Sequence, residues 1–232
     1  MIQIRKSNER GDANHGWLKS KHSFSFAEYY DEKFMGFGPL RVINEDRIDG
    51  GTGFGTHGHR DMEIISYVID GALEHKDSMG SDAIIRPGEV QRMTAGTGVR
   101  HSEQNHLKDA TTHFLQIWIL PEENGIAPGY DQKSFANDFA GGDLVLVGSR
   151  DGRNGSVTIH QDVKMYAAKS QTAGHKTLET LANRHLWVQV IKGQVKVEGA
   201  ELQAGDGAGI TKVESLQLEW NQGAEFILFD LP

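Results

Sequence analysis

The sequence contains no cysteine, and only 5 of its 232 residues are proline. Without thiols there is no disulfide, no thiolate metal site and no cysteine nucleophile, so any metal must be held by imidazole and carboxylate. Positive charge is also short: 24 Lys and Arg stand against 32 Asp and Glu, a formal net charge of -8. Gripping a phosphate backbone needs a clustered excess of Lys and Arg, so direct nucleic-acid binding is not expected. Long apolar runs are missing as well. The start, Met1-Ile2-Gln3-Ile4-Arg5-Lys6, has no apolar signal-peptide core, and no stretch approaches the ~18 consecutive apolar residues of a membrane span. A soluble cytoplasmic protein is the expectation. Glycine is what the chain has in abundance, 28 residues, well above the ~7% average and the mark of frequent turns.

Short β-rich runs between Gly, Asp and Asn turns predict strands near 40–43, 63–69, 112–120, 144–147, 163–167, 186–191, 195–197, 215–218 and 225–229. Helical periodicity is scarce, with short candidates only at 26–30 and 133–137. Many short strands with frequent turns indicate an all-β sandwich or barrel. An approximate internal repeat refines this. Val68-Ile69-Asp70-Gly71-Ala72-Leu73-Glu74 resembles Val190-Ile191-Lys192-Gly193-Gln194-Val195-Lys196, and a Gly-acid pair follows each, Gly88-Glu89 and Gly205-Asp206. The repeat predicts two related β-barrels in tandem, 1–130 and 131–232, with the mixed Pro, Gly, Asn and Asp segment 121–142 as the connection.

The histidines carry the chemistry. Residues two apart in a strand project from one face, so His57 and His59 point together, and His101 and Glu103 repeat that geometry with one imidazole and one carboxylate. Two such pairs on facing strands offer three nitrogens and one oxygen to a common centre. That set suits Fe(II), Mn(II), Co(II), Ni(II) or Cu(II), with positions left for substrate and dioxygen. Glu63 shares the parity of His57 and His59; it is either an inward ligand or acceptor behind one, or a strand-edge carboxylate in solvent. Phe54 and Met62 suit ordinary core or an apolar slot for a flat substrate. His75, within Glu74-His75-Lys76-Asp77, reads as a solvated strand face. Aligned on the repeat, Glu179 and Leu181 match His57 and His59, and Leu218 and Trp220 match His101 and Glu103, so one metal per chain is expected, in the N-terminal barrel.

These residues resemble the pirin family of the cupin superfamily. The first cupin signature is met by Gly51, His57, His59, Glu63 and Gly71, and the second is replaced by a pirin-like stretch from Thr94 to Glu103 that brings the third histidine late. Further likeness lies in 23–31, 38–46 and 74–78, so the match covers about the first half of the chain. The resemblance implies a bicupin, two jelly-roll domains in tandem. It also implies one divalent metal, usually iron with Mn, Co, Ni, Cu or Zn as other candidates, held by His57, His59, His101 and Glu103, with Glu63 outside the set. The implied activity is that of a quercetin 2,3-dioxygenase, which opens the central ring of a flavonol with O2 and releases carbon monoxide. Glu103 is the expected catalytic proton acceptor. Pirins also suggest a non-catalytic alternative, a metal-dependent redox-sensing regulator; the acidic balance suits contact with a basic protein partner better than with DNA. A monomer is expected.

Overall fold

The structure is a computed structural model that describes residues 1–232. It divides into two compact units, the first made of Gly11–Phe135 with Val157–Gln161, the second of Met1–Arg10, Ala136–Ser156 and Asp162–Pro232. No helix is long and apolar enough to cross a membrane. In chain order, β1 (Ile2–Arg5) belongs to the second unit. The first unit follows with β2 (Gly11–Asn14), β3 (Leu18–His22), β4 (Leu40–Ile48), β5 (Gly53–His59), β6 (Glu63–Asp70) and β7 (Leu73–Asp77). It continues through β8 (Asp82–Ile85), β9 (Glu89–Thr94), β10 (Val99–Asn105), β11 (Thr112–Ile119) and β12 (Gly129–Ser134). A four-residue helix α1 (Ala136–Phe139) and β13 (Val145–Ser149) open the rest of the second unit, and β14 (Val157–Thr158) returns to the first. Then come β15 (Lys164–Lys169), β16 (Gly174–Glu179), β17 (His185–Lys192), β18 (Gln194–Val197), β19 (Ala200–Gln203), β20 (Gly207–Thr211), β21 (Ser215–Trp220) and β22 (Glu225–Leu231).

In the first unit β12-β9-β6-β11-β4-β3-β2 form one antiparallel sheet and β5-β10-β7-β8 a smaller one. The second unit repeats the order: β20-β17-β22-β15 corresponds to β9-β6-β11-β4, and β16-β21-β18-β19 to β5-β10-β7-β8. The all-β jelly-roll fold and its duplication are therefore as the sequence implies, although each unit is a pair of sheets and not one closed barrel. Alternation drives the arrangement. Leu18, Val68 and Phe114 from the large sheet pack on Leu73 and Ile85 from the small one, and Val188, Phe226 and Leu228 pack on Val195, Val197, Leu216 and Leu218 in the second unit. The repeated hairpins turn at Gly71 (φ 82°) and Gly193 (φ 72°), a left-handed conformation that glycine adopts without steric cost.

The unit boundaries differ from 1–130 and 131–232 at both ends. β1 pairs along its length with β20, from Ile2 opposite Ile210 to Arg5 opposite Gly207, and Asp206 accepts from the Lys6 ammonium at 2.9 Å and the Ser7 N–H at 2.7 Å. The first ten residues thus join the C-terminal unit. Segment 121–142 is not a bare connection, because β12 pairs with β9 from Gly129 opposite Thr94 to Ser134 opposite Glu89. Neither helix candidate survives as drawn. Phe26 and Tyr29 exchange backbone hydrogen bonds across a tight turn with Ala27 at φ 49°, and 133–134 are strand, leaving only α1.

Candidate metal centre

β5 and β10 are neighbours in the small sheet, and their register sets His57 directly opposite His101. His59 lies one step along the same face of β5. The three imidazoles form one group whose ligand atoms all lie within 4.8 Å of one another. Close approach of the two strands depends on Gly53: a Cβ there would sit 2.3 Å from the Glu103 carbonyl oxygen. The register shifts by a bulge between His101 and Glu103.

Tautomers follow from the neighbours. His57 Nδ1 lies 2.8 Å from the Gly55 carbonyl oxygen, which can only accept, so Nδ1 carries the proton and Nε2 is bare. His101 Nδ1 faces His75 Nδ1 at 3.5 Å, and His75 Nε2 lies 3.0 Å from Asp77 Oδ2. The carboxylate accepts from His75 Nε2–H, which leaves His75 Nδ1 as an acceptor for His101 Nδ1–H and leaves His101 Nε2 bare. Asp77 is anchored in turn by the N–H groups of Met79 and Ser81 on Oδ1. Burial alone would raise its pKa, but the hydrogen bonds from His75, Ser81 and Met79 hold it below the usual carboxylate range. The side chains of both His75 and Asp77 are buried. The solvated strand face expected for His75 is incorrect: Glu74 and Lys76 take the outward positions, and His75 shares the inward parity of Leu73.

Two bare Nε2 atoms, on His57 and His101, thus face each other at 3.1 Å. Lone pairs at that distance repel unless a cation lies between them. Adjacent ligands on one ion at ~2.1 Å bond lengths and a right angle stand about 3.0 Å apart, so the spacing fits a shared divalent metal. Burial, with the neighbouring His57, pushes His59 down to about 4, and burial with the surrounding histidines pushes His101 down to about 3. Both rings are neutral at pH 7, the form that binds metals.

Glu103 stands outside the group of three, though it faces the same interior. Ser66 Oγ donates to its Oε1 at 3.0 Å and Gln116 Nε2 to its Oε2 at 3.1 Å. Trp118 Nε1 fixes Gln116 by donating to its Oε1, and its ring meets that of His59 edge to face at 5.0 Å. Burial raises the Glu103 pKa, with His75 and the two hydrogen bonds acting against it. These donors belong to a polar row that crosses the large sheet, His22, Asn44, Gln116, Ser66 and Gln91, each directly opposite the next. All five are buried. Glu63 lies elsewhere: it is wholly buried, accepts from the His160 N–H at 3.0 Å and faces Arg92 Nε at 3.9 Å. It is neither an exposed edge carboxylate nor one of the converging donors. Met62 packs with Ile64 and Met93 in the core.

A cavity of about 1000 Å³ opens beside the imidazoles, with His57 and His59 in its wall together with Trp17, Phe26, Phe54 and Trp118. In the second unit the corresponding positions are hydrocarbon. Strand register places Leu178, Leu216, Leu218 and Val197 where His57, His101, Glu103 and His75 stand. Alignment on the hairpin and on the Gly-acid pair misplaces these positions because the segments between each anchor and the ligand strands differ in length; the loss of the ligand set stands.

The Pirin family model matches residues 3–119, and that of the quercetinase C-terminal cupin domain matches residues 146–231. Over 232 residues the chain is 49% identical to the quercetin 2,3-dioxygenase of Escherichia coli K12, covering 100% of this chain and 99% of that one. It is 39% identical to a pirin-like protein of Caulobacter vibrioides, with 99% of each covered. The crystal structure of the bacterial pirin YhhW from E. coli in complex with nickel(II) superposes with a TM-score of 0.95 at 48% identity, over 100% of this chain and 99% of that one. With both of its halves matched and relatives aligned from end to end, the chain belongs to the pirin family of two-domain cupins.

Proposed function

We propose that the chain is a metal-dependent dioxygenase that opens the central ring of quercetin or a related flavonol with O2 and releases carbon monoxide. One observation carries this reading: His57 and His59 line a cavity that also carries Trp17, Phe26, Phe54 and Trp118, so a metal on the three imidazoles stays open to a flat ligand, as a closed structural site would not. The names of the E. coli relative and of the nickel-bound pirin support it. His57, His59 and His101 would hold the metal, with Fe(II) the proposed occupant and Mn, Co, Ni, Cu or Zn compatible with the same donors. When bound, the metal supplies a Lewis acid that lowers the pKa of the flavonol 3-hydroxyl and brings its anion and O2 into one geometry.

Glu103 is the proposed fourth donor and the acceptor of the 3-hydroxyl proton. Each of its oxygens accepts one hydrogen bond and keeps a second lone pair. Its raised pKa strengthens it as a base. Trp17, Phe54 and Trp118 hold the rings of the ligand and exclude water. Both atoms of O2 enter the opened product, and one carbon of the central ring leaves as carbon monoxide. The test is loss of flavonol absorbance under air with metal-loaded protein, together with detection of carbon monoxide. Turnover should fall by about 100-fold or more in Glu103→Ala and be abolished in His57→Ala. Absence of turnover with every first-row metal, or unchanged turnover in both variants, overturns the reading. Elemental analysis of protein from its own host tests the choice of iron.

A further inference from the structure

The metal centre uses one wall of the cavity; the large-sheet wall carries a second set of polar side chains. Ser20 and His22 on β3 stand directly opposite Asp46 and Asn44 on β4, and all four line the cavity. None is more than 4% exposed. Ser20 Oγ donates to Asp46 Oδ1. His22 Nδ1 lies 2.7 Å from Asn44 Oδ1, which can only accept, so the ring donates there, and it lies 3.3 Å from Ser20 Oγ. Asp46 Oδ2 has no hydrogen-bond partner in the protein.

Asp46 lines the cavity wall and is 2% exposed there, so a ligand that brings a hydroxyl to Oδ2 adds a hydrogen bond that the protein does not supply. Burial, opposed by Ser20 and reinforced by Glu103 and Glu45, pushes the Asp46 carboxyl up to about 7, consistent with too few donors around it. Phe26 and Tyr29 border the same corner, with ring centroids 5.3 and 6.3 Å from that of His22, and give an aromatic ring faces to rest on. The chemistry of the corner is therefore that of a phenol: an apolar ring and one donor.

We propose that Asp46, braced by Ser20, His22 and Asn44, is a recognition subsite that accepts a hydrogen bond from a phenolic hydroxyl of the ligand, on a ring other than the one presented to the metal. The inference rests on the functional reading above and narrows its substrate class to polyhydroxylated flavonols. A site built to bind a hydroxyl discriminates against the analogue that lacks it, because its own polar atom is then left unpaired.

The test is a binding titration under argon, where no turnover occurs, followed by quenching of the fluorescence of Trp17 and Trp118 in the cavity wall. Metal-loaded and metal-stripped protein are each titrated at pH 8, where Asp46 is largely ionised, with quercetin and with the flavonol that lacks hydroxyls on its pendant ring. Wild-type protein should bind quercetin at least about tenfold more tightly, the low end for a hydrogen bond to a charged group. Asp46→Asn should lose most of that preference while its affinity for the unhydroxylated flavonol changes less than about twofold. Equal binding of the two ligands by wild-type protein, which needs no variant to fold, overturns the subsite, as does an equal loss for both in Asp46→Asn. Failure of the protein to bind either flavonol removes the functional reading itself.

Discussion

Replacing Asp77 by Asn should weaken metal binding, although Asp77 touches no metal donor except through His75. The carboxylate fixes two things: its Oδ1 accepts from the N–H groups of Met79 and Ser81, and its Oδ2 accepts from His75 Nε2. An amide cannot do both. If its oxygen keeps the two backbone donors, its NH2 faces His75 Nε2, which must give up its proton to accept. The proton then sits on His75 Nδ1, His101 Nδ1 must become the acceptor, and His101 Nε2 gains a hydrogen where a lone pair has to face the metal. If the amide flips, its NH2 collides with two backbone donors. Either way one buried hydrogen bond is lost or one ligand has the wrong tautomer, roughly 1–3 kcal/mol. That corresponds to about 5- to 150-fold in metal affinity, in line with the ~10–100-fold cost of removing a partner behind a ligating histidine. Competition of Ni(II) or Co(II) against a chelator measures it, and the Co(II) absorption spectrum should change because the ligand ring is altered. Thermal unfolding in excess chelator separates this effect from general destabilisation. Affinity within about twofold of wild type, with an unchanged Co(II) spectrum, would refute the tautomer chain.

Three further outcomes are expected. Asp46 holds its proton up to about 7 in the folded chain but only to about 3.8 when unfolded; folding stability should therefore decline as pH rises from about 4 to 7 and level off above, by a few kcal/mol at most, and denaturant titrations of Asp46→Asn should lack that decline. Gly53→Ala puts a Cβ 2.3 Å from the Glu103 carbonyl oxygen and 2.6 Å from Gln104 Cα, so β5 must move off β10; a loss of about 1–3 kcal/mol in chemical denaturation should accompany weaker metal binding, and a silent substitution would contradict the close approach. Glu63→Ala leaves Arg92 without its buried carboxylate and should cost about 3–5 kcal/mol by denaturation while metal content stays at one ion per chain; a drop in metal content in folded protein would make Glu63 part of the site after all.

The nine strand predictions all coincide with strands of the structure, because those segments are rich in Val, Ile, Leu and Phe and read against polar turns. The duplication was legible for the same reason: the turns at Gly71 and Gly193 sit between apolar arms. What the composition does not mark is polar. β3 reads Leu-Lys-Ser-Lys-His, with Ser20 and His22 facing inward beside Leu18, and nothing in its composition marks it as core. His75 and Asp77 were hidden between Glu74 and Lys76, where only the inward parity of Leu73 gives them away. The converging histidines were readable from spacing, since the i, i+2 rule fixes a face, but the tautomers that leave their Nε2 atoms bare depend on Gly55, His75 and Asp77, contacts that only the fold supplies. The short turn at Phe26–Tyr29 defeated a helical reading because Ala27 takes a left-handed φ that its residue type does not announce.

The second unit is a built-in control experiment. Its strand order matches that of the first, yet Leu178, Leu216, Leu218 and Val197 occupy the positions of His57, His101, Glu103 and His75. Evolution has thus run the same scaffold twice within one chain, once furnished for chemistry and once filled for solidity. Transplanting the four hydrocarbon side chains into the first unit should give a protein that resists unfolding better and binds no ion, and the difference between the two would weigh how much folding stability the imidazoles and their carboxylates withhold in exchange for reactivity.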